Sequence, residues 1–283
     1  MVNTISIVGT GLIGASVGLA LRGAGFEGEI VGIDQNPKEI STAVAMGAVT
    51  RSGSFEDALG SDVVVLATPV FGILDCMQRL APLLGDHQLI TDVGSTKLAV
   101  VTLAQTLRQS GSTARILPGH PMAGKESSGA ALAEAKLLDG ATWLFTPFEI
   151  ASTIEGEWRE WVRRFGCRTL DLDAARHDQI CAWVSHLPQM VATAMAAMLQ
   201  DEIGGAPGSA AEFCAIGGRA LREMTRLGAS PYSMWRDVAM TNTKPLAAAL
   251  FAFEQRLAHL RENLKTPELR DEFGKANAFR REP

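Results

Sequence analysis

Two short segments carry the side chains best suited to moving a proton. The first is Thr91-Asp92-Val93-Gly94-Ser95-Thr96-Lys97; the second is Gly119-His120-Pro121-Met122-Ala123-Gly124-Lys125-Glu126. Both interleave glycine with hydrogen-bonding side chains, more densely than a structural connector requires. His120 is the expected acid/base, because an imidazole titrates near neutrality. A hydroxyl such as Ser95 can fix its tautomer or hold a substrate oxygen. The second half of the chain adds Asp178, Ser185-His186-Leu187-Pro188-Gln189 and Arg222-Glu223-Met224-Thr225-Arg226. Arg222 and Arg226 are four positions apart. On a helix they share one face, where two guanidiniums can clamp carboxylates.

A second motif says what the proton transfer accompanies. Gly9-Thr10-Gly11-Leu12-Ile13-Gly14 lies between a strand pattern and a helix pattern, and Asp34 closes the next strand twenty residues after Gly14. A lone glycine fingerprint is weak, but with strand, helix and acid in place it predicts a dinucleotide site. Gly9 permits the turn, Gly11 lets a pyrophosphate approach the backbone, and Gly14 lets the helix lie close to the strand. The free N–H groups at the helix start, Leu12 and Ile13 among them, face the phosphates. Asp34 can accept both ribose hydroxyls and repels a 2′-phosphate. Gln35-Asn36-Pro37 offer no arginine for that phosphate, so NAD is favoured over NADP. Thr68 and Pro69, after a buried strand, are expected at the same end of the sheet.

The elements that must position these residues change along the chain. Strands and helices alternate as far as about Pro147, which predicts a parallel sheet covered on both faces. Beyond it the pattern is almost entirely helical, with one strand at Cys167–Asp171. The expected architecture is an α/β Rossmann-like dinucleotide-binding domain followed by an all-α helical domain. The divisions fall at 1–148, 149–265 and a partly ordered tail, 266–283. Asp173 reads as an N-cap, Pro188 as a kink or break, and Gly204–Ser209 as a loop.

Composition narrows the classes. The chain has 283 residues, 47% hydrophobic and 20% charged, enough apolar content for a packed core. Its net charge of −5 argues against a nucleic-acid partner. The four cysteines, Cys76, Cys167, Cys181 and Cys214, form no CxxC pair, so no metal site is expected and the thiols read as small buried side chains. No apolar run reaches the ~18 residues of a membrane span, and the start has no leader signature. A cytoplasmic location is the expectation.

Taken in order, these motifs resemble the prephenate and arogenate dehydrogenases of tyrosine biosynthesis, over about residues 3–264. The resemblance rests on Gly9–Gly14, Asp92–Lys97, Gly119–Gly124, His177-Asp178, Ser185-His186-Leu187-Pro188, and Thr225-Arg226 with Met234-Trp235-Arg236-Asp237. It implies a helical domain that forms a homodimer. It also implies NAD-dependent oxidative decarboxylation of a small cyclohexadienyl substrate. His120 matches the histidine that takes the 4-hydroxyl proton, Ser95 the serine that orients it, and Arg226 the arginine on a substrate carboxylate. His186, Gln189 and Arg222 are further expected substrate contacts.

The chain departs from the family pattern at two positions. Many relatives read Ser-His-Leu-Pro-His where this chain has Gln189. Glu126 can pair with the amino group of arogenate or repel the keto-acid end of prephenate, which tilts the expectation towards arogenate or dual use. The competing expectations are a dehydrogenase of the β-hydroxyacid type and a dinucleotide-sensing regulator without turnover. The first relies on a lysine of the helical domain, where this chain offers a histidine loop. The second has no need for Ser95, His120 and Arg226 together.

Overall fold

The computed structural model describes residues 1–203 and 209–281. The expected loop Gly204–Ser209 lies mostly outside them, as does the side chain of Cys214. The chain opens with β1 (Thr4–Val8), α1 (Leu12–Gly23), β2 (Glu29–Ile33), α2 (Pro37–Ala45), β3 (Arg51–Ser52) and β4 (Val63–Leu66). It continues through α3 (Val70–Leu80), β5 (Leu89–Asp92), α4 (Leu98–Gln109) and β6 (Arg115–Leu117). These strands form one parallel sheet in the order β3-β2-β1-β4-β5-β6. The order reverses between β1 and β4, the crevice where such sheets bind ligands. Val63–Leu66 are buried throughout, as a strand covered on both faces must be.

The run expected as one strand, Arg115–Gly119, divides at Pro118. Arg115–Leu117 stay in the first sheet, while Gly119–Pro121 become β7 of a second, three-stranded sheet. Pro118 has no N–H to continue the ladder. β7 runs antiparallel to β8 (Thr142–Phe145), with His120 opposite Leu144. After α5 (Thr153–Arg164), β9 (Arg168–Asp171) joins β8 in parallel. Trp143, Trp158 and Phe165 pack edge-on or tilted, with centroids 6.1–6.3 Å apart, and bury the face under α5. The second sheet therefore draws strands from both sides of the break expected near Phe148.

The helical part comprises α6 (Ala174–Cys181), α7 (Leu187–Ile203), α8 (Ser209–Thr225), α9 (Tyr232–Thr241), α10 (Thr243–Glu262) and α11 (Glu268–Arg281). Asp173 caps α6, accepting from the N–H groups of Ala175 and Arg176. Pro188 does not break the chain. A π-helical turn over Ala182–His186 precedes it, and Pro188 sits in the first turn of α7, where a missing N–H costs little. Gly218, at φ 53°, bends α8 through a conformation open to glycine. The expected single helix at Ser233–His259 is two, parted at Asn242. The expected tail is mostly α11, held to α10 by the Arg256–Glu272 ion pair. None of the described helices is long and apolar enough to cross a membrane.

Candidate active site

The glycine turn is shaped by close approach. Gly9 has φ 95°, and a Cβ there would lie 2.6 Å from the carbonyl oxygen of Ala67. A Cβ on Gly14 would fall 1.9 Å from the Gly9 carbonyl oxygen. Gly11 differs: nothing lies within 4 Å of the place its Cβ would occupy. No side chain caps the start of α1, so its first N–H groups, around Leu12 and Ile13, lack side-chain acceptors. Asp34 faces this turn just past β2. Its carboxylate accepts from Thr10 N at 2.7 Å, Thr10 Oγ1 at 3.1 Å and Asn36 N at 2.8 Å. Thr68 and Pro69 follow β4, and Pro69 opens α3. The geometry fits a dinucleotide: space beside Gly11, unclaimed N–H groups, and an acid at the end of the neighbouring strand.

Two more helix starts meet the helical half. The carboxylate of Asp178, on α6, accepts from Lys97 N at 2.7 Å and Leu98 N at 2.9 Å, capping α4 from across the molecule. Asp237, on α9, accepts from Phe71 N at 3.1 Å and caps α3 in the same way. Neither helix has a cap from its own flanking side chains. Thr96 and Thr241 add a hydroxyl pair at 2.7 Å.

His120 lies at this junction, on β7 and not in a loop. Its Nδ1 is 2.9 Å from Nε2 of His177, and His177 Nδ1 is 2.8 Å from Asp178 Oδ1. Among the described residues no hydrogen bond reaches His120 Nε2, and the residue keeps 7% of its surface accessible. Burial holds its pKa well below the ordinary histidine range, with smaller effects in the same direction from the neighbouring His177, Lys97 and His186. The ring is therefore neutral at neutral pH. Lys97 is fully buried and paired with Asp92. Asp92 also accepts from Gly94 N at 2.9 Å and Gly119 N at 3.1 Å, joining the two segments singled out in the sequence. Cys181 Sγ stands 3.6 Å from His177 Nε2, and burial pushes its thiol up to about 12.

The remaining expected site residues divide. Ser95 is half-buried on the loop before α4 but shares no hydrogen bond with His120; that ring is bonded by His177. His186 is fully buried, and its Nδ1 lies 3.1 Å from Asn242 Nδ2. The same amide donates to the Asp178 carbonyl at 2.8 Å, so it is a donor and His186 Nδ1 an acceptor. Burial lowers His186 to about 4, against a smaller opposing effect of Asp178. Arg226 is exposed and paired with Glu126. Arg222 lies in the last turn of α8, which ends at Thr225, and Arg226 opens the 3₁₀ turn that follows directly. Gln189 is not free for a substrate. Its amide donates to Thr193 Oγ1 at 3.1 Å and the Leu227 carbonyl at 2.7 Å, and accepts from Ser230 at 3.2 Å. It holds the turn that carries Arg226.

Family models match nearly the whole chain. "Prephenate dehydrogenase, nucleotide-binding domain" covers residues 17–164, and "Prephenate dehydrogenase, dimerization domain" covers 173–276. The chain belongs to the prephenate dehydrogenase family. The prephenate dehydrogenase of Lactococcus lactis is 31% identical over 255 residues, 89% of this chain and 69% of that protein. A crystal structure of prephenate dehydrogenase from A. aeolicus with hydroxyphenyl propionate and NAD+ superposes with a TM-score of 0.87. That match is 28% identical and covers 99% of this chain and 98% of the other. Synechocystis arogenate dehydrogenase matches with a TM-score of 0.76 and 29% identity, covering 98% of each chain.

Proposed function

We propose that the protein catalyses NAD-dependent oxidative decarboxylation of a cyclohexadienyl acid, arogenate or prephenate, to the aromatic product. The observation that carries this is His120: a neutral, buried imidazole with one nitrogen bonded inward and the other unclaimed. Gly9, Gly11, Gly14, the N–H groups at Leu12 and Ile13, Asp34, Thr68 and Pro69 would hold the dinucleotide. When bound, NAD supplies the acceptor for the hydride of ring carbon 4. Positive charge develops at that carbon, and His120 relieves it by taking the 4-hydroxyl proton through Nε2. The ring carboxylate leaves as carbon dioxide. Its bonding electrons flow through the ring to oxygen, which takes the proton back from His120. Aromatisation supplies the driving force, so the protein's work is mainly positioning.

Arg226 binds a substrate carboxylate in this reading, with Arg222 and His186 as further contacts from the helical half and Ser95 from the loop before α4. Its pairing with Glu126 favours a side chain carrying both a carboxylate and an ammonium, which supports arogenate over prephenate. The cofactor half runs through β9, and α6 begins the substrate half. We place a homodimer interface on the helical half, where Met198, Ile216, Met224 and Phe251 are exposed. The three described cysteines are buried free thiols, which suits a reducing cytoplasm.

The test is NADH or NADPH formation on adding arogenate or prephenate to the purified protein, each with NAD and with NADP. Arogenate with NAD should give the highest kcat/KM. No turnover with any pairing would overturn the enzyme reading. A clear preference for prephenate would overturn the role given to Glu126.

A further inference from the structure

We infer that His177 and Asp178 are positioning residues that decide which nitrogen of His120 carries its proton, leaving Nε2 as the base. The inference rests on the reading of His120 as the base and explains how it is kept in the one useful tautomer. Obligate donors fix the chain of proton positions from the outside inward. Main-chain N–H groups can only donate, so both Asp178 oxygens are acceptors: Oδ1 towards Lys97 and Oδ2 towards Leu98. His177 Nδ1, 2.8 Å from that same Oδ1, must then be an N–H. With His177 neutral, its one proton is there and Nε2 presents a lone pair, for which the Cys181 thiol, 3.6 Å away, is a second donor. His120 Nδ1, 2.9 Å away, must donate to it. The proton of neutral His120 is thereby placed on Nδ1, and Nε2 keeps the lone pair that takes the substrate's proton.

The charged and titratable groups facing His120 are few. His177 and the thiol of Cys181 come from α6, Lys97 from the start of α4 with its partner Asp92 at the end of β5, and His186 from the π-helical turn. Asp178 acts through His177. Because Asp178 also caps α4, the element that sets the tautomer is the one that docks the two halves. The base is correctly protonated only while α6 sits on α4. An imidazolium at His177 would reverse the assignment, so the experiment reads protonation directly.

The protein has five histidines, and His120→Asn identifies the His120 signals by their loss. In ¹⁵N-histidine-labelled wild-type protein at neutral pH, His120 should show a protonated Nδ1 and an unprotonated Nε2. His177→Phe removes the acceptor and frees the tautomer. Its kcat should fall by about 10²-fold or more with the Kd for NAD unchanged. In His177→Gln the side-chain oxygen can stand where Nε2 stood, and roughly tenfold of that loss should return. A protonated Nε2 on His120, an imidazolium at His177, or equal losses in both variants would overturn the proposal. Should His177→Phe fail to fold, the wild-type spectrum decides alone. Full turnover in His120→Asn would instead remove the base reading and leave the tautomer assignment intact.

Discussion

The nucleotide turn and the histidine chain are built on opposite plans. The turn uses main chain: Gly9, Gly11 and Gly14 are defined by side chains they lack, and Asp34 closes the set within twenty-five residues of Gly9. The histidine chain uses side chains from distant parts of the sequence. His120 meets His177 across 57 positions, and Lys97 meets Asp178 across 81. A site made of backbone and space should lose function in steps. A site made of linked proton positions should fail as a unit.

The sharpest test of that contrast is His120→Asn. Asparagine keeps a polar group on β7 but cannot take a proton at the place of Nε2. Its kcat should fall by roughly 10²–10⁴-fold with NAD affinity unchanged, measured by steady-state kinetics and titration. A fall of only a few-fold would place the base elsewhere.

A smaller effect concerns stability. His186 and His120 are buried neutral, with folded-state pKa values below those of the unfolded chain. The unfolded state therefore binds more protons in acid, and stability present above about pH 6.5 is lost as pH falls towards each folded value. For His186, lowered to about 4, the loss is on the order of 3 kcal/mol over that range. Denaturant midpoints from pH 7 to 4 should fall, and less steeply in His186→Gln. A flat profile would contradict the neutral burial. The same low pKa of His120 keeps kcat/KM level through neutrality, with its acid limb below the ordinary histidine range.

The smallest expected change tests the backbone plan. Gly11→Ala meets no atom within 4 Å, so its melting temperature should stay close to wild type while the Kd for NAD rises about tenfold. Gly14→Ala places a Cβ against the Gly9 carbonyl and should lose both stability and binding. If the two variants behave alike, the space beside Gly11 is not where the pyrophosphate lies.

The two plans differed equally in how far they could be read from sequence. The glycine fingerprint, its flanking strands and Asp34 are local patterns, and the first sheet forms as they imply. His120 and Asp178 stood out by residue type, but their connection through His177 did not. No periodicity encodes a contact between β7 and α6. The passage of the chain between sheets at Pro118 was hidden for a related reason: a continuous apolar run looks the same whether it serves one sheet or two. Gln189 had the polarity of a ligand contact, yet three neighbours occupy its amide. α11 escaped notice because mixed charge without an apolar stripe gives little helix signal.

The two aspartates that reach across to cap α3 and α4 give the molecule a built-in gauge of its own opening. The amide hydrogens of Phe71, Lys97 and Leu98 are held by Asp237 and Asp178, and by nothing within their own helices. A separation of the halves would free those three hydrogens to exchange with water while the N–H groups beyond the first turn of α3 and α4 keep their helical partners. Their exchange rates would thus report that separation apart from global unfolding.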